Sequence, residues 1–509
     1  MMQSRPPLTL RRMSPSQAHA TAAFRWLAWP LGLCLAACGG GGRQTQDVQA
    51  APPSAGTLSI SLQAQAMPHF HQLPAELPPP VSGSVMPTRV TLSALEAGIP
   101  TSGLTREAFL ARRDALRTAQ AQAATATPMA TTSAVVYNPA QIRAAYGLPP
   151  LPASWSGLSA SQLADYGAGQ TVYVLDAYAY SNALSDLNAF SARFGLPSCR
   201  SVPAGTGTPG LLAAPAAQGC DFMQAYPDAS GNLLATAPAY NAGWAGETAL
   251  DVQWAHAIAP LARIVLLSAR DANTNSLAGG VMAANRMGPG VLSMSFGAAE
   301  GSWTAQMESL WSHPGITYVA STGDSGTQVN WPAVSPKVLA VGGTTLSYSG
   351  SGSRTEVAWS GAGGGISAYT ALPAYQAGLS IAGVQTAPRR TTSDVSFNAD
   401  PYSGQYTAFT APGGSTTWGA YAGTSIAAPQ WAGLLAVANA KRIAKGQPHL
   451  GSGTPACTPS WHVPPLTTRP PSWTSPAEAT VPAPIADRPR GWIWPRAGAR
   501  PMPPRCSAG

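Results

Sequence analysis

Charge is scarce in this 509-residue chain, with Asp, Glu, Lys and Arg together making up 10% of it. Long apolar runs are missing as well. The run from Trp26 to Ala37 is too short to span a bilayer, and no other segment is a better candidate. The six cysteines include no CxxC pair and no Cys/His cluster at zinc spacing, which excludes the common structural zinc modules. The formal charge of +8 belongs to the ends: residues 1–50 hold five Arg and one acid, and residues 452–509 hold six Arg and two acids. Residues 51–451 balance 18 basic against 18 acidic side chains, so no nucleic-acid or membrane-surface patch is indicated. Histidine is limited to seven residues. What abounds is Gly (52) and Pro (49), a composition that suits an exported, loop-rich globular protein.

Arg11, Arg12 and Arg25 precede the Trp26–Ala37 run, which ends in Leu35-Ala36-Ala37-Cys38 and four glycines. This reads as an export signal over residues 1–38. Small residues before a Cys, then a glycine tether, resemble a bacterial lipoprotein cleavage and lipidation site at Cys38. An ordinary secretory signal with an incidental cysteine is the alternative. The expected location is the bacterial cell envelope or the exterior. Cys34 falls within the signal, while Cys199 and Cys220 bracket a Gly/Pro/Ala loop and are candidates for a disulfide in an oxidising compartment.

Residues 39–134 are rich in Pro, Ala, Thr and Gln and read as a linker or short propeptide, with one helical patch over about Thr105–Ala121. From residue 135 to 451 the pattern becomes that of one large domain. Gln170–Asp176 is a buried-strand pattern ending in an acid, and short apolar runs recur at Ala262–Leu267, Gly290–Met294, Ile316–Ala320 and Val338–Val341. Helix-like segments at Ser185–Phe194, Glu247–Ile258, Leu277–Arg286 and Thr304–Ser312 separate several of them. Strands alternating with helices predict an α/β fold, a parallel sheet with helices on both faces. In such sheets the site lies beyond the carboxyl ends of the strands.

Three motifs sit in suitable places. Glu247 and Asp251 are four residues apart on a helix pattern, hence one above the other. Two such carboxylates are tolerable if they share a proton, which raises one pKa; two solvated surface acids are the plainer alternative. His256, in an apolar stretch, reads as structural. Asp324 follows the Ile316–Ala320 strand in Ser321-Thr322-Gly323-Asp324-Ser325-Gly326, either entering a site or bonding its own turn. Gly-Asp-Ser-Gly also surrounds the serine of trypsin-like peptidases, but Thr327-Gln328 follow here and the Ala-Ala-His-Cys stretch is absent. Thr424 and Ser425 lie between a strand-like Ser415–Tyr421 and a helical Ile426–Ala440, with Pro429 expected in the first turn. Ser425 is either a nucleophile favoured by the helix dipole or a simple N-cap.

Glu-x-x-x-Asp, Ser-x-Gly-Asp-Ser-Gly and Gly-Thr-Ser-x-x-x-Pro, in this order, resemble the sedolisin family of serine-carboxyl peptidases. Ala358-Trp359-Ser360-Gly361, Gly363–Ser367 and Asp394-Val395-Ser396 add to the likeness, which covers about Tyr137 to Gly451. The resemblance implies a subtilisin-like fold and a serine-type endopeptidase. It implies Ser425 as nucleophile, Glu247 as general base and acid, Asp251 as its partner and Asp324 in the oxyanion hole. A carboxylate base and a neutral oxyanion acid both favour acidic pH. Asp176 stands where subtilisin-like enzymes keep a triad Asp, but the matching His-Gly-Thr-His stretch is absent, so Asp176 reads as structural or supporting. The expected partners are protein or peptide substrates, with Cys38 as an outer-membrane lipid anchor, no nucleic acid, and a monomeric state.

The resemblance also implies a C-terminal calcium site, whose ligands this sequence lacks. Residues 452–509 contain 14 Pro, four Trp and six Arg, with Glu478 and Asp487 as the acids, and predict an aberrant, disordered tail. Read one codon position out of frame, Trp473-Thr474 and Trp492-Ile493 would each have to encode Asp, in stretches that can match the family's calcium motif. The expectation is a frameshift beginning near residues 451–455. The alternative function is then a catalytically impaired peptidase-like lipoprotein or binding module.

Overall fold

The computed structural model describes residues 64–81, 83–122, 131–378 and 387–451. The signal, Cys38, Cys457, Cys506 and the tail of residues 452–509 lie outside the described residues.

A ten-stranded sheet forms the centre. Across it run the strands Thr355–Ala358, Val338–Ser347, Ile316–Ser321, Gly290–Met294, Thr171–Ala177, Arg263–Ala269, Cys220–Pro227 and Cys199–Ser201. The middle pairings are parallel; the Thr355–Ala358 edge is antiparallel. The alternation of side chains explains why both faces are covered. Val172, Val174, Ile264, Leu266, Val291 and Val319 belong to one buried cluster, with the helices Ala183–Phe194, Ala242–Ile258 and Thr424–Ile443. Their neighbours Tyr173, Leu175, Val265, Leu267 and Leu292 belong to a second, under the helix Thr274–Met287 and the 3-10 helix Ser302–Leu310. The architecture is the expected α/β sheet with helices on both faces.

Two helices decide the position of the site. Ala242–Ile258 opens on Asn241, whose side chain caps the Trp244 N–H, and it is buried continuously from Trp244 to Ile258. A helix apolar or buried all round has no solvated face, so Glu247 and Asp251 are taken into the core with it. Thr424–Ile443 begins after Gly423, which has φ +102° and ψ 168°, a conformation close to glycine-only. Pro429 is the sixth residue of this helix rather than part of its first turn. Its missing N–H would have bonded the Ser425 carbonyl. That carbonyl accepts instead from Ser295 Oγ at 3.1 Å.

Residues 64–122, read from sequence as linker or short propeptide, pack onto this body. Met67–Pro68 pairs antiparallel with Phe296–Ala299, and His71–Gln72 pairs with Thr417–Ala422. Thr88–Leu92 pairs with Thr132–Val136, and a helix covers Arg106–Gln122, close to the expected patch. Cys199 and Cys220 form a disulfide. No helix among the described residues is long and apolar enough to cross a membrane.

Candidate active site

Ser425 is the second residue of its helix, after a Gly423 cap that contributes no side chain, so Ser425 is not the N-cap. At this position its N–H has no partner within the helix; it donates to the His69 carbonyl at 3.1 Å. Its Oγ donates to the Ser295 carbonyl at 3.1 Å and accepts from the His69 backbone N–H at 3.0 Å. Among the described residues no imidazole nitrogen bonds Ser425 Oγ.

Glu247 is completely buried. Burial, then the charges of Asp251 and Asp176, push its pKa well above the usual carboxylate range; the nearby Ser425 hydroxyl opposes the shift by favouring the ionised form. The two do not make a well-aligned hydrogen bond, and neither Glu247 oxygen has one among the described residues. Asp251 is raised by burial and by Asp176, with Ser295 opposing. Ser295 Oγ lies 2.9 Å from Asp251 Oδ1 as well as 3.1 Å from the Ser425 carbonyl, and its single proton serves one acceptor at a time. Asp176, at the end of the Thr171–Ala177 strand, is pushed up to about 7 by burial, with Thr248 opposing. Three buried acids thus share one region, and each ionisation there disfavours the next.

Asp324 meets Thr424, the residue before Ser425. Its Oδ1 accepts from the Thr424 N–H and the Thr424 hydroxyl, both at 2.8 Å. Its Oδ2 is 3.3 Å from His71 Nε2, an ion-pair contact if that ring is protonated, without hydrogen-bond alignment. The His71 ring is otherwise held by Thr101 Oγ1 at 2.7 Å and by an edge contact with Trp359. His69 Nδ1 lies 2.9 Å from Ser321 Oγ, and burial lowers its pKa to about 4.

The structure therefore gathers Glu247, Asp251, Asp324 and Ser425 into one site and adds Asp176. Sequence reasoning missed His69 and His71, which lie in a stretch read as linker. The available signal was density, since two of the seven histidines fall within Pro68–His71. His256 is a buried neutral ring, lowered to about 4 by burial, bonded to the Pro197 carbonyl and remote from this cluster's contacts. Among the described residues, the one group of His, Cys, Asp or Glu with ligand atoms close together is Cys199, Cys220 and His256. Both of its thiols are consumed by the disulfide. Those residues do not fit calcium, which prefers oxygen ligands. The stretch expected to hold calcium ligands falls in residues 452–509.

The subtilase family profile matches residues 239–449, the part that holds all four motif residues. Kumamolisin of Bacillus sp. (strain MN-32) is 32% identical over 223 residues, covering 38% of this chain and 40% of that protein. Sedolisin of Pseudomonas sp. (strain 101) is 34% identical over 110 residues, covering 17% and 18%. The chain thus spans two-fifths or less of these curated relatives. Among solved structures, Pseudomonas sedolisin, a serine-carboxyl proteinase complexed with two molecules of pseudo-iodotyrostatin, aligns with a TM-score of 0.46. It does so at 24% identity, over 63% of this chain and 84% of that one. Over residues 239–449 this chain is similar to the subtilase family, and the kumamolisin and sedolisin identities extend that likeness to subtilisin-like peptidases of the sedolisin kind.

Proposed function

We propose that the chain is an exported serine-carboxyl endopeptidase that cleaves protein or peptide substrates at acidic pH through an acyl-enzyme on Ser425. The observation that carries this reading is a helix-start serine beside the buried carboxyl of Glu247, with no imidazole among the described residues bonded to its hydroxyl. A serine hydroxyl needs an adjacent base to attack. Glu247 takes the Oγ proton and returns it to the leaving amine, and Asp251 shares its proton load. The developing oxyanion is held by the Ser425 N–H and by Asp324, which must carry a proton to donate. A site built from acids held above their usual pKa, and from an acid that donates, works when those groups are partly protonated. Export is supported by the Cys199–Cys220 disulfide, since such bonds persist in oxidising compartments.

Hydrolysis of denatured casein should peak below neutral pH. Ser425→Ala should lose activity by a factor on the order of 10⁴ or more. A pH–rate profile that peaks at or above neutrality overturns the carboxyl chemistry. Casein left intact by the wild type across the acidic range overturns the peptidase reading in favour of a binding module.

A further inference from the structure

At the Cys199–Ser201 edge of the central sheet, two sulfurs and an imidazole meet in the core. Cys199 and Cys220 stand directly opposite each other on neighbouring parallel strands. His256 reaches them from the helix Ala242–Ile258, with its Nδ1 3.7 Å from Cys199 Sγ. All three residues are buried, and the two sulfurs and a ring nitrogen lie within 4.8 Å of one another.

Hydrogen bonding fixes which ring nitrogen holds the proton. His256 Nε2 lies 2.9 Å from the Pro197 carbonyl, which can only accept, so the neutral ring carries its proton there. Nδ1 is left with a lone pair. The sulfur it faces is bonded to Cys220 and has no hydrogen to give. A buried acceptor without a donor is costly, and this one points at two sulfurs. An imidazole that gives one N–H to a backbone carbonyl and turns its other nitrogen inward is oriented as metal-binding histidines are.

The frame around these three side chains does not depend on the bond between the sulfurs. Asn188 holds both backbone groups of Cys199: its Oδ1 accepts from the Cys199 N–H at 2.8 Å, and its Nδ2 donates to the Cys199 carbonyl at 3.1 Å. Phe222, two residues after Cys220, pairs with Ile264 in the body of the sheet. The helix end carrying His256 is held by Arg143, whose Nη1 donates to the Ala257 and Ile258 carbonyls, both at 3.0 Å. A surface cleft of about 230 Å³, lined by Ser198, Arg200, Gln218 and Cys220 among others, brings solvent to the sulfurs.

We infer that Cys199, Cys220 and His256 form a zinc site once the disulfide is reduced, so that the loop of residues 200–219 is closed either by a covalent bond or by a metal ion. The site is independent of the peptidase reading. Two thiolates and an imidazole suit zinc, and three protein ligands leave a fourth position for water. Tetrahedral zinc with Zn–S ~2.3 Å and Zn–N ~2.0 Å sets sulfur and nitrogen roughly 3.5 Å apart, against 3.7 Å here. A dithiol reductant passes two electrons and two protons to the bridge: the S–S bond breaks, two S–H bonds form, and the reductant closes as a disulfide of its own. Zinc then displaces both thiol protons into solvent, while His256 Nδ1 has none to lose.

The test uses the full chain with Cys34, Cys38, Cys457 and Cys506 replaced by serine, so that Cys199 and Cys220 alone supply thiolate. The chain is reduced with a dithiol in the absence of oxygen, freed of reductant at neutral pH and titrated with Co²⁺, an optical stand-in for zinc. The expected result is one Co²⁺ per chain, with thiolate-to-cobalt charge-transfer absorption and the visible bands of a tetrahedral site, both abolished by Zn²⁺. Zn²⁺ should also raise the melting temperature of the reduced chain. His256→Gln should weaken cobalt binding by at least about 10-fold and alter the visible bands. Cys220→Ser should lose charge-transfer intensity. A reduced chain without charge-transfer absorption overturns the site, as does the same absorption in the oxidised chain. Bands and affinity unchanged in His256→Gln overturn the three-ligand site. If reduction unfolds the chain, Zn²⁺ should restore its near-ultraviolet circular dichroism, and failure to do so overturns the inference as well.

Discussion

Asp176 is the residue at which the electrostatics of the core can be read most directly. Its carboxyl is raised from 3.8 to about 7, chiefly by burial. The folded chain therefore binds that proton more tightly than the unfolded chain does. Its stability contribution is complete below the ordinary carboxylate range and is lost as pH climbs from about 4 towards 7. Glu247 and Asp251, also raised, act in the same direction. The melting temperature should fall across that window. Asp176→Asn, a neutral near-isostere, should flatten the fall by an amount on the order of 4 kcal/mol at most, taking about 1.4 kcal/mol per pH unit. Thermal unfolding followed against pH checks this; a wild-type melting temperature that rises through the window contradicts it. Glu247, Asp251, Asp324 and Ser425 were legible because each stands in a short motif at fixed spacing. The role of Asp176 in raising the other two acids was not, because it depends on a strand end and a helix interior meeting across more than 70 residues of chain.

At the scale of elements, the turn into the Thr424–Ile443 helix concentrates the demands of the site. Gly423 adopts φ +102°, and a side chain there would collide with the His69 carbonyl and crowd Asp324. Gly423→Ala should destabilise the fold by about 1–3 kcal/mol from backbone strain. It should also lower kcat, because a side chain there would crowd the Asp324 carboxyl that we propose holds the oxyanion. Urea midpoints and casein turnover at acidic pH measure the two effects; a variant unchanged in both would show that the turn is not under this constraint. The longer helices and most central strands were legible from apolar periodicity to within a few residues, while the buried strands Cys220–Pro227 and Gln405–Phe409 were not. The position of Pro429 was not, because the helix starts two residues before the apolar pattern does.

For the whole molecule, the Cys199–Cys220 bridge ties neighbouring parallel strands at one edge of the sheet. The bridge closes a loop of 21 residues, a constraint worth about 2–4 kcal/mol, mainly through the unfolded chain. Cys199→Ser with Cys220→Ser should lower the melting temperature by that equivalent while leaving the acidic pH profile of casein hydrolysis in place, since neither cysteine contacts the Ser425 cluster. Loss of the profile shape along with stability would tie this edge to the catalytic chemistry. The same scale holds the N-terminal arm, whose two short pairings span the site from one sheet edge to another.

By itself the sequence determined the alternation of strands and helices and the positions of the four motif residues, and it suggested the acid that we propose in place of histidine. Each is encoded in neighbouring residues, through side-chain period or fixed spacing. Only the tertiary structure decided that Glu247 and Asp251 are buried rather than solvated, that Asp176 joins them, and that Pro68–His71 lies on Ser425. Burial depends on what packs against a helix from every side. An arm's docking depends on backbone edges some 230 and 350 residues away along the chain, and backbone hydrogen bonds leave no mark in residue type.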